Sequence, residues 1–122
     1  MSEKKSCLVV DDSMVARMII IDFIKQNGVD WDFDQAANGE EALKKLGDNK
    51  FDYVTLDYNM PIMTGIEVLK HRKSVFPETK SVLLTANVQE HTSTEAAEQE
   101  VKCFHKPVTQ DVVKAIVEYF TE

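Results

Sequence analysis

Cys7-Leu8-Val9-Val10-Asp11-Asp12-Ser13 is the stretch that decides the fold. Its first four residues form a short, unbroken apolar run, the mark of a strand covered on both faces. Two carboxylates end the run. Ser13 then offers an N-cap, and about 14 residues of helical character follow. Met14, Met18 and Ile21 form one stripe, which Ile20, Phe23 and Ile24 extend. Asn27-Gly28 supplies the stop.

Working outward, the same strand-then-helix unit recurs. Trp31 to Ala37 reads as a second, weaker strand whose acids suit a sheet edge. Asn38-Gly39 opens a helix carrying Ala42, Leu43 and Leu46, and Gly47-Asp48-Asn49 is expected to turn it off. Phe51 to Leu56 is the third strand. A loop from Tyr58 to Thr64 leads into a helix with Ile66, Val68 and Leu69, closed by Pro77. Ser81 to Leu84 is the fourth strand. Gln89 to Glu100 is polar apart from Ala96 and Ala97, which predicts a helix with little to bury. Val101 to His105 is the fifth strand, and Thr109 caps a last helix in which Val112, Val113, Ile116, Val117 and Phe120 recur at helical spacing.

Five strands alternating with five helices imply an α/β fold, with a parallel sheet covered by helices on both faces. Right-handed crossovers leave few topologies. In such sheets ligands bind outside the carboxyl ends of the strands. Four short motifs end apolar runs and so share that rim: Asp11-Asp12, Asp57, Thr85-Ala86 and Lys106-Pro107.

Composition narrows the function class. The 122 residues suffice for one domain with one core, and one domain over 1–122 with no output domain is expected. Net charge is −7, from 14 Lys plus Arg against 21 Asp plus Glu, which disfavours binding to the nucleic-acid backbone. The short basic cluster Lys70-His71-Arg72-Lys73 reads as a solvated helix face. No apolar run approaches the ~20 residues of a membrane span, and the amino terminus does not read as a secretory signal. A cytoplasmic protein without membrane or nucleic-acid partners is expected, and two reduced thiols, Cys7 and Cys103, fit that compartment.

Taken singly, each rim residue is an ordinary turn or capping group. Their joint placement is what carries chemistry. Asp11, Asp12 and Asp57 would crowd three carboxylates together, so that without a cation at least one has a raised pKa. An all-oxygen cluster suits Mg²⁺, which takes one or two carboxylates and leaves positions for phosphate oxygens; zinc would want His or Cys. Lys106 adds a positive charge opposite the acids, and Thr85 a hydroxyl beside the small Ala86. A carboxylate not committed to a metal can attack phosphorus and form an acyl phosphate.

On these residues the chain resembles the receiver domain of two-component response regulators, and in size the stand-alone chemotaxis type. Asp11-Asp12, Asp57-Tyr58-Asn59-Met60-Pro61 with Gly65, Thr85-Ala86 and Lys106-Pro107 carry the resemblance, which covers essentially the whole chain. It implies a flavodoxin-like doubly wound sheet of order 2-1-3-4-5. It also implies that Asp57 is phosphorylated by a histidine kinase or a histidine phosphotransfer protein. Asp12, Asp57 and the Asn59 carbonyl would hold Mg²⁺, with Asp11 acting through water. Lys106, before a cis peptide bond, would pair with the phosphoryl group. Thr85 and the backbone N–H groups of Asn59 and Ala86 would respond to it, shifting the fourth helix and fifth strand. A monomer that switches a protein-binding face is the implied signalling unit; a phosphate shuttle or sink is the alternative.

Two departures stand out. The family's usual aromatic switch lies three residues before the lysine, where this chain has Cys103; Phe104 is one place later and should point to the other face, as core. The small-residue turn usual before the fifth strand is replaced by Glu98-Gln99-Glu100. With order 2-1-3-4-5, Cys7 and Cys103 lie roughly 14 Å apart, too far for a disulfide. Two rivals fit less well. An aspartyl phosphatase wants a second acid where Asn59 stands, and a flavodoxin-like electron carrier would not place Asp11-Asp12 against a flavin phosphate. The first helix, with Met14, Val15, Arg17 and Met18 directly after Asp12-Ser13 and apolar over more than one face through Ile19 to Ile21, is a candidate docking surface for a helical phosphohistidine donor.

Overall fold

The computed structural model describes residues 4–86, 96–99 and 101–122. Five strands, β1 (Ser6–Val10), β2 (Asp32–Ala36), β3 (Tyr53–Asp57), β4 (Lys80–Thr85) and β5 (Lys102–His105), form one parallel sheet in the order β2-β1-β3-β4-β5. The expected doubly wound topology is therefore the observed one.

The sheet divides the core into two layers because successive side chains of a strand point to opposite faces. Cys7 and Val9 point to one face with Tyr53, Val82 and Leu84; Leu8 and Val10 point to the other with Val54, Leu56 and Leu83. Helices α1 (Met14–Lys25) and α5 (Gln110–Thr121) cover the first face. Helices α2 (Gly39–Asp48), α3 (Gly65–Leu69) and α4 (Arg72–Val75) cover the second.

The caps follow the sequence. Ser13, Asn38, Thr64 and Thr109 each accept a hydrogen bond from the backbone N–H three residues on. Thr64 and Glu67 complete a reciprocal capping box. Helix α2 runs through Asp48, two residues further than Gly47-Asp48-Asn49 suggests, because the Asn49 N–H still reaches the Lys45 carbonyl at 2.9 Å. β3 starts at Tyr53 rather than Phe51. The chain joins the ladder only after Asp52, whose carboxylate accepts from the Ser6 N–H at 2.9 Å.

The first helix corrects the stripe expected from its sequence. Its fully buried residues are Ile20 and Ile24, whereas Met14 and Met18 are 61% and 57% exposed. A helix apolar on several sides does not choose its own inward face; the neighbours do. The basic cluster is corrected in one member. Lys70, His71 and Lys73 are solvated, but Arg72 is half-buried and its Nη2 donates to the Gln99 carbonyl at 2.8 Å.

Residues 96–98 are helical, and Ala96 packs against the α2–α4 layer. The remainder of the Gln89–Glu100 helix expected from sequence lies outside the described residues. Cys7 and Cys103 are free thiols, the first fully buried. Burial pushes both thiols up in pKa, which disfavours the reactive thiolate. Phe104 lies in the α1/α5 layer, 6.5 Å from the Tyr119 ring, while Cys103 packs on the opposite layer, as strand alternation predicts. Among the described residues no helix is long and apolar enough to cross a membrane.

Candidate functional site

The rim at the carboxyl ends of β1, β3, β4 and β5 gathers the residues singled out from sequence. Parallel register does the gathering. Val10 pairs with Leu56, so Asp11 and Asp57 follow at matching heights. Thr85 pairs with His105, and Lys106 comes next, its backbone N–H bonded to the Thr85 carbonyl at 2.8 Å.

Carboxylate oxygens of Asp11, Asp12 and Asp57 all lie within 4.8 Å of one another. Asp11 and Asp57 are buried, and Asp12 is exposed. Lys106 Nζ bridges the two buried acids, 2.9 Å from Asp11 Oδ2 and 3.1 Å from Asp57 Oδ1. One ammonium cannot neutralise three carboxylates. Burial first, and the Asp11 charge second, push the Asp57 carboxyl up to about 6 against the partial relief that Lys106 provides. Burial works against the Lys106 ammonium too, but its hydrogen bond to Asp11 and the charge of Asp57 outweigh that and hold it above the ordinary lysine range.

Asp11 is fully engaged. Its N–H donates to Ala36 O at 3.1 Å, its carbonyl accepts from Arg17 Nη1 at 2.7 Å, and its Oδ1 accepts from the Ser13 N–H at 2.9 Å. With Lys106 on Oδ2, Asp11 acts as scaffold. Asp12 accepts no hydrogen bond among the described residues and faces outward, open to a ligand.

The loop after Asp57 is shaped by two close approaches. Gly65 begins α3 directly beneath Asp57: a Cβ there would stand 2.5 Å from the Asp57 carbonyl oxygen and 2.7 Å from Leu83 Cδ1. Only glycine lets the helix start so near the strand end. Gly39, at the start of α2, lets that helix pack closely on the loop and α3: a Cβ there would meet the side-chain atoms Met63 Sδ and Val68 Cγ2, each at 2.9 Å. Between them Ile62 adopts φ 72° in a γ-turn closed by Met63 N–H on Pro61 O at 2.7 Å. Asn59, two residues past Asp57, and Ala86, following Thr85, are both exposed at the rim. The Lys106–Pro107 peptide is cis.

Arg17 is expected from sequence only among the docking residues of the first helix, yet it is half-buried and bonded at the site. Its signal was spacing: positions 17, 20 and 24 lie on one helix face, and 20 and 24 are the buried pair.

The donor set tests which ion the cluster fits. Three carboxylates, without His or Cys, are hard oxygen ligands, and one of them is exposed and uncommitted. That is the chemistry of Mg²⁺ rather than of a softer transition metal.

Comparison with known proteins agrees with this fold and gives the family. The response regulator receiver domain model matches residues 7–118. A Listeria monocytogenes chemotaxis protein CheY is 36% identical over 115 residues, covering 91% of this chain and 93% of its own. A protein-glutamate methylesterase/protein-glutamine glutaminase of Clostridium acetobutylicum is 44% identical over 73 residues, 60% of this chain, which spans only 21% of that longer protein. The structure of response regulator protein TrrA from Thermotoga maritima, in complex with Mg²⁺–BeF, superposes with a TM-score of 0.82 at 31% identity, covering 95% of this chain and 98% of that one.

Proposed function

This chain belongs to the response regulator receiver domain family, and from that premise we propose that it is a phosphoacceptor whose Asp57 takes a phosphoryl group from a phosphohistidine donor in a Mg²⁺-dependent reaction. The observation that carries the reading is Lys106 Nζ at 3.1 Å from Asp57 Oδ1, inside a cluster of three acids. The family is one of signalling domains rather than ordinary enzymes, and the only chemistry proposed is the domain's own gain and loss of phosphate.

An Asp57 carboxylate oxygen attacks phosphorus, the new O–P bond forms as the P–N bond to the donor imidazole breaks, and the product is an acyl phosphate. Asp12, Asp57 and the Asn59 carbonyl would hold the Mg²⁺, with Asp11 behind them. When bound, the ion neutralises charge on the acids and on the transferring group. Lys106 is already held toward Asp57 and supplies a fixed positive charge for the new phosphoryl oxygens. The buried Thr85 would turn its hydroxyl to it, assisted by the backbone N–H groups of the exposed Asn59 and Ala86, and carry the change outward.

The donor is a histidine kinase or a histidine phosphotransfer protein. Met14, Val15 and Met18 support a helical docking partner: all three are large, more than half exposed and directly follow the Asp12-Ser13 turn. Downstream signalling by protein contact in the cytoplasm, of the chemotaxis kind, is the extension favoured by the relatives.

Intact-mass analysis after treatment with acetyl phosphate tests the reading. A gain of one phosphoryl group is expected with Mg²⁺, none with EDTA, and none in Asp57→Asn. Equal labelling of Asp57→Asn would move the phosphoacceptor elsewhere.

A further inference from the structure

Helix α1 presents one face to the sheet, and on that face stand Ile20, Ile24 and, a turn before them, Arg17. An arginine at the head of a buried stripe needs partners, and it has two on different elements. Nη1 donates to the Asp11 carbonyl at 2.7 Å, and Nε donates to Gln35 Oε1 at 2.9 Å. Gln35 belongs to β2, in register with Val9 of β1. The guanidinium therefore ties the β1–α1 turn to the neighbouring edge strand.

The carbonyl it grips belongs to the peptide that joins Asp11 to Asp12. Asp12 is exposed and accepts no hydrogen bond of its own among the described residues, so its position is inherited from that peptide. It nonetheless stays within 4.8 Å of two other carboxylates. Mutual repulsion would splay the turn outward, and Arg17 is the group that opposes this from the helix side. We propose that Arg17 is a positioning residue for the cation site: it fixes the Asp11–Asp12 peptide so that the Asp12 carboxylate is ready to bind Mg²⁺. This rests on the Mg²⁺-dependent phosphoacceptor reading above.

The planar fork matters. Two donors with fixed relative direction serve two acceptors on separate elements, which a lysine point charge cannot do. Arg17→Lys keeps the charge and loses the fork. Gln35→Met removes one leg of the clamp at a half-buried edge position and leaves the other.

The test is calorimetric titration with Mg²⁺ alone, together with hydrogen exchange of the Ser13 amide, which donates to Asp11 Oδ1 at 2.9 Å, in metal-free protein. For Arg17→Lys and Arg17→Ala we expect Mg²⁺ affinity to fall by about tenfold, the low end for a residue that supports a metal ligand from behind. The Ser13 amide should exchange faster than in wild type. Gln35→Met should move both readings in the same direction by less. Tighter Mg²⁺ binding by Arg17→Ala, with Arg17→Lys like wild type, would make Arg17 a mere counter-charge and overturn the proposal. Unchanged affinity and exchange in Arg17→Lys would overturn it as well, while leaving the phosphoacceptor reading intact if wild type still gains Mg²⁺ and phosphate. Wild-type protein that binds no Mg²⁺ sinks both.

Discussion

Lys106 Nζ lies 2.9 Å from Asp11 Oδ2 and 3.1 Å from Asp57 Oδ1, so a single ammonium bridges acids at the ends of two adjacent strands. The pair Lys106–Asp57 thus joins β5 to β3 across the end of β4, at the point where chemistry is proposed. Because the bridge is mostly buried, its loss should be felt in both stability and protonation.

Removing Lys106 should raise the Asp57 pKa further. Lys106 is what opposes burial and the Asp11 charge at Asp57. In metal-free Lys106→Met, the Asp57 carboxyl should titrate above its wild-type value of about 6, as followed by carbonyl-carbon NMR. The protein should also lose about 2–4 kcal/mol of stability near neutral pH, since two buried acids are left without their cation. An Asp57 titration at or below the wild-type value would contradict the role given to Lys106.

The pH dependence of stability has a definite sign. A carboxyl whose native pKa lies above its unfolded value holds its proton more tightly when folded, so ionising it costs native stability. In metal-free protein the loss begins near the unfolded value of about 4 and is complete above about 6. Asp57→Asn abolishes it. The metal-free variant should melt roughly 5 °C above wild type near neutral pH, a gain of about 1–2 kcal/mol, and the gap should narrow toward pH 4. Added Mg²⁺ should close much of the gap at neutral pH by stabilising wild type. Parallel melting profiles for the two proteins across this range would rule the account out.

Docking and chemistry should separate on α1. Met14 and Met18 are 61% and 57% exposed. The double substitution Met14→Glu, Met18→Glu should slow phosphoryl transfer from a phosphohistidine donor by at least about tenfold, a loss of roughly 1.4 kcal/mol of docking energy. Labelling by acetyl phosphate should stay near the wild-type rate. Equal loss in both assays would mean that the helix face serves folding, not docking.

Ile62 stores strain beside the site. Its φ of 72° holds a β-branched side chain at the centre of a γ-turn of positive φ, and with 97% exposure it gains nothing from packing. Ile62→Gly removes the Cβ that this γ-turn strains and should raise stability by about 1 kcal/mol in urea unfolding. No gain, with the γ-turn retained in the variant, would show that the turn is not strained by its side chain.

Much of this molecule could be read from its residues in order. The apolar runs, the helix starts at Ser13, Asn38 and Thr109, and the acids that close the strands are local signals, and local signals survive without knowledge of neighbours. The site followed from them because a parallel sheet puts the ends of all its strands on one rim. Cys103 and Phe104 fell on opposite faces for the same local reason, the alternation of a strand.

What sequence alone determined, then, was the order of elements and the list of groups at the rim, since both depend on periodicity and topology. Which way α1 turns was decided only by tertiary structure. With apolar residues on several sides it had no preferred face. The choice went to Ile20 and Ile24 with Arg17 because those positions fill the sheet's layer and satisfy the Asp11 carbonyl and Gln35. The division of labour between Asp11 and Asp12 was decided in the same way. Adjacent aspartates look alike in a chain, and only the placement of Lys106, Ser13 and Arg17 around one of them makes it a scaffold and leaves its neighbour free to bind.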